Sequence, residues 1–185
     1  DLMASELIVQ NLRGPSSGDN ANKIIVPSGQ TLDASEGFTP PAGAVVQAVQ
    51  HKFFDTTTST TTNTWVDCAG SAVTITPKYS NSKLMITMTY HHQGRDGEQL
   101  GVAPYYKIGS GAYSIISTAS TFNEVNRIAN GGTIIWQMGS QTWEFDVTSS
   151  DTITFKMMMR TRFGGSVRVN DNGPGSGFII MEIAQ

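Results

Sequence analysis

An all-β fold is what this 185-residue sequence predicts: an antiparallel β-sandwich or jelly roll behind a short extended N-terminal leader. Three observations carry the prediction. Short segments rich in β-branched and apolar residues recur with turn chemistry roughly every ten residues. Charged residues make up only 15% of the chain, below the usual quarter, and Gly, Ser, Thr and Asn fill the difference. No long stretch combines Ala, Leu, Glu and Lys, and no strand alternates with a helical segment, which argues against a parallel α/β sheet.

The elements follow in chain order. Residues 1–43 read as a leader. Its two short apolar runs, Leu7–Val9 and Ile24–Val26, are separated by the turn-forming Arg13 to Asn20 and followed by a Gly/Pro/Ser-rich stretch to Gly43. Two strands so short bury no core of their own. They pack on the main domain or on copies from other chains, or the leader is a tether. Residues 44–185 read as the head. Val45 to Phe54 is a long strand. Asp55 to Thr64, in which seven of ten residues are Thr, reads as a loop into the strand Thr64–Val66. Ala72 to Pro77 is extended, and Ser80–Ser82 turns. Lys83 to His92 is the clearest strand: Leu84, Ile86, Met88 and Tyr90 share one face, and Met85, Thr87, Thr89 and His91 the other. Gln93 to Glu98 reads as a polar loop with a tight turn at Asp96-Gly97. Further strands are predicted at Val102–Ile108, Tyr113–Ser117, Thr133–Met138, Thr142–Val147, Thr152–Arg160, Ser166–Val169 and Gly177–Ala184, with Gly139-Ser140 read as a turn. Ala119 to Asn130 is either a loop or one short helix.

Some of these strands are apolar on both faces. Phe178 and Ile180 lie on one side of the last strand, and Ile179, Met181 and Ile183 on the other; Thr133 to Met138 is similarly mixed. A sandwich strand normally buries one face and wets the other. The second face needs a cover, which is either a sister subunit or the Ala119–Asn130 segment.

Charge and composition narrow the function. A net charge of −3 is a poor footprint for nucleic acid. Lys156, Arg160, Arg162 and Arg168 read as a solvated strand face. The single cysteine, Cys68, allows no internal disulfide, has no zinc-ligand spacing around it, and reads as a small buried residue in a chain that matures in a reducing cytosol. No apolar run approaches the roughly 20 residues that span a bilayer. The start lacks signal-peptide chemistry, and Met3 reads as a native start after two added residues.

No catalytic, cofactor or metal site is expected. His91 and His92 are adjacent on a strand and point to opposite faces, so they do not share a metal. With Asp96 and Glu98 nearby they leave only a weak acid–base or metal hypothesis. Glu98, Glu124, Glu144, Asp146 and Asp151 are the acids that a glycoside-cleaving pair would draw on, and strand or turn surface is the simpler reading of each. Nucleophile-elbow, zinc-protease and phosphate-loop motifs are missing. Trp65, Trp136, Trp143, Tyr105, Tyr106 and Tyr113 either stack on sugar rings in a groove or fill core and interface. Receptor-binding residues are therefore not assigned.

Four stretches together resemble the small tail-fibre and head-fibre proteins of tailed bacteriophages, many from marine and cyanobacterial viruses. They are the leader from Leu12 to Asp33, the junction Pro41-Ala42-Gly43-Ala44-Val45-Val46-Gln47, the Thr/Ser run with Val73–Pro77 and Asn81–Leu84, and the end Ile180–Ala184. The resemblance implies a leader that attaches to the virion or trimerises, a β-sandwich head that often contacts the host surface, and no enzymatic activity. Gly94 to Asn130 departs from the pattern. The expected protein is a homotrimeric virion fibre or knob, assembled in the host cytoplasm. Its expected partners are capsid or tail proteins and a host-surface glycan, with neither nucleic acid nor membrane insertion. The alternative is a capsid decoration protein that braces the shell.

Overall fold

Alternating side chains and antiparallel pairing build this fold, seen in a computed structural model that describes residues 15–19, 21, 25, 27–29, 39–53, 58–94, 99–116, 124–127, 135–161, 164–170 and 175–185. The chain divides into two units, Asp1–Thr39 and Pro40–Gln185. The leader's proposed strands at residues 7–9 and 24–26 lie outside the described residues, apart from an exposed Ile25.

The second unit is all-β. Its strands are β1 (Val45–Phe53), β2 (Thr58–Thr60), β3 (Val66–Asp67), β4 (Val73–Ile75), β5 (Lys83–Gly94), β6 (Gln99–Ile108), β7 (Ser114–Ile115), β8 (Glu124–Arg127), β9 (Ile135–Asp146), β10 (Ile153–Thr161), β11 (Val167–Val169) and β12 (Ser176–Ile183). Every pairing among them is antiparallel. Because β9 takes one whole edge of β5, β11 and β12 share its other edge end to end; β1 and β2 continue the column outside them. By the same logic β3 and β4 share one edge of β10, and β7 and β8 one edge of β6. The strands thus form eight columns in two sheets. Numbered along the chain, the first sheet runs 1-8-3-6 and the second 2-7-4-5, which is the order of a jelly roll. The antiparallel sandwich expected from sequence is the fold observed.

The inner faces supply the core. Leu84, Ile86 and Met88 of β5 and Phe178 and Ile180 of β12 meet Leu100 and Val102 of β6 and Ile153, Phe155, Met157 and Met159 of β10, all at most 1% exposed. Each fully buried side chain of this kind contributes about 1.5–3 kcal/mol. Phe145 of β9 bridges the sheets, with ring centroids 4.6 Å from Tyr106 and 5.8 Å from Phe155. Two glycines permit close backbone approach. A Cβ on Gly177 would lie 2.2 Å from the His51 carbonyl oxygen, and one on Gly139 would lie 2.3 Å from the Tyr90 ring.

Four sequence expectations need correction. The Thr-rich stretch read as a loop contains β2, which forms because Thr58–Thr60 pairs with Val167–Val169 across the sheet. Gly139-Ser140 is no turn: β9 runs unbroken from Ile135 to Asp146 along β5, and Gly139 leaves room for Tyr90. Within Ala119–Asn130, residues 124–127 form β8 rather than a helix; the remainder lies outside the described residues, as does the Asp96-Gly97 turn. Gln93 and Gly94, read as loop, continue β5.

Candidate functional site

Alternation along the strands sorts the side chains onto three surfaces: the outside of the first sheet, the outside of the second sheet, and a polar patch between the sheets.

The outside of the first sheet sets large apolar side chains among polar ones such as Lys83, Thr87, Thr142, Glu144 and Asp146. Inward Phe178 and Ile180 are buried, whereas Ile179 is 40% exposed between them. Registered pairs extend this face: Met85 sits beside Met181, Thr87 beside Ile179, His91 beside Met138 and Gln93 beside Trp136. Met138 is 58% exposed and Trp136 43%, and Trp136 stacks on the His91 ring at 5.3 Å. Strands apolar on both sides therefore leave their second side on the outside of the first sheet. His91 and Gln93 on this side are buried, whereas Met85, Trp136, Met138 and Ile179 stay exposed; Ala119–Asn130, the alternative cover, is described only at residues 124–127.

The outside of the second sheet carries cations laid on aromatic rings. Arg160 lies 4.5 Å over Trp65, and Trp65 meets Tyr105 edge-on at 5.8 Å. Gly101 makes room, since a Cβ there would approach Arg160 to 3.1 Å. The Lys156 ammonium sits 3.9 Å over Tyr113 and pairs with Asp67; Lys107 approaches the same ring to 5.2 Å. Each such contact is worth about 0.5–2 kcal/mol, more as it loses water. The basic group read as one solvated face is thus divided. Lys156 and Arg160 are half-buried on aromatics of the second sheet, Arg168 lies on β11 of the first, and Arg162 lies outside the described residues.

Beside Lys156 is a shallow recess of about 220 Å³, lined by Asp67 to Ala72, Tyr113 and Lys156. Its wall is the loop after β3, which hydrogen bonds tie to both sheets. Cys68 N–H donates to the Met157 carbonyl at 2.9 Å, and Ala69 N–H to Thr58 Oγ1 at 2.9 Å. The Gly70 carbonyl meets His51 Nε2 at 2.7 Å, and Ser71 Oγ accepts from Met157 N–H at 3.0 Å. Cys68 itself is 2% exposed, and burial, reinforced by the Asp67 charge, pushes its thiol far above the ordinary range. It is a buried structural thiol, as expected.

Between the sheets, the inward faces of β5 and β9 bring together Tyr90, His92, Gln137 and Gln141. The Tyr90 hydroxyl, both His92 ring nitrogens and the side-chain oxygens of Gln137 and Gln141 find no hydrogen-bond partner among the described residues. Such groups ordinarily hold ordered water. Burial, then the neighbouring His91, holds the His92 pKa down at about 4, so its ring is neutral near pH 7. His91 and His92 do face opposite ways: one stacks on Trp136 outside, the other lies under the Tyr90 ring inside.

The structure does not assemble the sequence-nominated acids. Glu144 and Asp146 share Lys83 on an exposed edge, at 3.1 and 3.6 Å. Asp151 closes a turn with Ser149. Asp96 and Glu98 lie outside the described residues, and the Glu124 side chain is not described. No three His, Cys, Asp or Glu side chains converge as metal ligands among the described residues, and no helix there is long and apolar enough to cross a membrane. Of the aromatics, Trp143 is buried, Tyr106 joins the core, and Trp65, Tyr105, Tyr113 and Trp136 reach outer surfaces.

One carboxylate escaped the sequence reading. Glu182, inward on β12 and 0% exposed, accepts from Lys78 N–H at 2.9 Å, Tyr79 N–H at 3.0 Å, Ser82 Oγ at 2.7 Å and Gln47 Nε2 at 2.6 Å. Burial alone would raise its pKa, but these donors together hold it below the ordinary value. The signal was present in strand parity, since Glu182 shares its side with Phe178 and Ile180. Its role is structural: it ties the turn before β5 to the edge of the first sheet.

No protein-family model matches the chain, and no curated protein matches it. Among solved structures it is similar to the crystal structure of the infectious bursal disease virus VP2 subviral particle, at 15% identity and a TM-score of 0.49, over 92% of this chain and 40% of that one. It is also similar to the structure of the Gx strain of infectious bursal disease virus, at 13% identity and a TM-score of 0.33, over 85% of this chain and 44% of that one. The chain thus spans less than half the length of the structures it matches.

Proposed function

We propose that this chain is a structural protein of a virus particle, a homotrimeric fibre or knob of the tailed-phage type that presents its jelly-roll head to a host surface. The observation that carries the reading is the outer face of the first sheet, where the large apolar side chains Met85, Trp136, Met138 and Ile179 stand exposed. Such side chains call for a protein cover, and closed assembly of identical chains supplies one. The leader sequence, with its resemblance to phage fibre proteins, supports the same reading, and residues 1–43 take the role of attachment or trimerisation. Three heads on one axis raise apparent affinity for a repetitive surface without any new contact. The role is one of binding and assembly, with no catalytic step. Immunogold labelling of whole particles with antibodies to the head tests it. Label on tail or head fibres is expected. Label spread over the capsid shell would favour a decoration protein, and unlabelled particles would overturn the virion role.

A further inference from the structure

We propose that the recess walled by Asp67 to Ala72, with Lys156 and Tyr113, is a subsite for one sugar ring bearing two neighbouring hydroxyls. The inference rests on the reading of the domain as an adhesion head and names the chemistry of its contact.

The recess is about 220 Å³, a volume for one ring rather than an extended chain. It is built in advance: the backbone of its wall is pinned to His51, Thr58 and Met157 from both sheets. A wall held in this way loses little conformational freedom on binding. The tip of the wall needs Gly70, whose φ is +77°, a conformation that a side chain would strain.

The chemistry at the mouth selects the ligand class. Asp67 and Lys156 form an ion pair, with side chains 60% and 15% exposed. The carboxylate therefore keeps open acceptor positions while the ammonium is held over the Tyr113 ring. An anion would be repelled by Asp67 and a metal cation by Lys156. A hydroxyl both donates and accepts, and two adjacent hydroxyls can serve the pair at once, one donating to Asp67 and the other accepting from Lys156. Tyr113 and the methyl groups of Ala69 and Ala72 line the rest of the recess and suit the C–H edge of the ring. Lys107, 5.2 Å from the same Tyr113 ring, stands beside it as a further donor.

The test is titration of the isotope-labelled full chain with the methyl glycosides of glucose, galactose, mannose and N-acetylglucosamine, read by protein NMR. At least one should shift the amides of Cys68 to Ala72. Asp67→Asn should weaken that binding about tenfold or more, the scale of one charged hydrogen bond. Ala69→Trp, at an exposed position beside the recess, should abolish it by filling the space even if the Asp67 variant fails to fold. Lys83→Gln, on the first sheet, should leave it unchanged. The assignment is overturned if none of the four glycosides shifts those amides, or if both recess variants bind as the natural sequence does. Sugar binding lost while particles remain labelled removes only the subsite; unlabelled particles with sugar binding intact remove only the virion reading.

Discussion

Replacing Glu182 should cost this domain a large part of its stability, although the residue sits in a strand that otherwise reads as apolar. Its carboxylate is fully buried and accepts from four donors, two of them backbone N–H groups of Lys78 and Tyr79. In Glu182→Ala the Lys78 and Tyr79 N–H groups lose the carboxylate they donate to, whereas the Ser82 hydroxyl keeps a second acceptor, the Tyr79 carbonyl at 2.9 Å, and the Gln47 amide keeps the Thr76 carbonyl at 2.8 Å. A hydrogen bond to a charged group contributes about 1.5–3 kcal/mol, the bonds are not additive, and breaking a buried charge network costs about 3–5 kcal/mol. Glu182→Gln keeps one acceptor oxygen but turns an amide NH₂ toward other donors, so about half that loss is expected. Against a typical total of about 5–15 kcal/mol, the alanine variant should be marginal. Urea unfolding at one fixed protein concentration reads the effect as a lower midpoint at unchanged slope. Because the folded pKa of Glu182 is depressed, its contribution is present above the ordinary carboxylate value of 4.5 and is lost as pH falls through the folded value. The difference between natural and Glu182→Gln chains should therefore shrink on acidification. A midpoint shift below about 1 kcal/mol for Glu182→Ala, the worth of one ordinary hydrogen bond, would refute the reasoning.

Two further outcomes follow from the polar patch between the sheets. His92 titrates near 4 in the folded chain against 6.5 unfolded, so the unfolded state takes the proton first. Stability should fall between about pH 6.5 and 4, by about 3 kcal/mol from this group, and His92→Gln should flatten that part of a urea-midpoint profile. Gly139→Val should force Tyr90 from its place over β9, lowering the thermal midpoint and changing the near-ultraviolet circular dichroism, while Ser140→Val one residue on, facing solvent, should leave both nearly unchanged.

Much of this architecture was legible because period-two alternation states which side of a strand is buried. Leu84, Ile86, Met88 and Tyr90 all lie inside, and His91 and His92 part company as alternation requires. What escaped depends on partners distant in sequence. β2 is invisible in a Thr-rich run because the pairing that stabilises it comes from β11, more than a hundred residues on. Gly139-Ser140 carries local turn chemistry, yet Tyr90 across the sheet decides that the strand continues. The recess was hidden for the same reason: Asp67, Tyr113 and Lys156 lie far apart along the chain and meet only when β3 and β10 pair. Glu182 was overlooked because a single acid in an apolar strand resembles an exposed edge until the donors of the preceding turn are placed around it.

The proposed assembly rests on the exposed apolar side chains on the outer side of the first sheet. Multi-angle light scattering of the full chain at micromolar concentration measures the consequence directly. A mass three times the 19.9 kDa of one chain is expected, falling to a single chain in Ile179→Lys, where a charge is set into that side. A natural chain that elutes at 19.9 kDa would contradict the account.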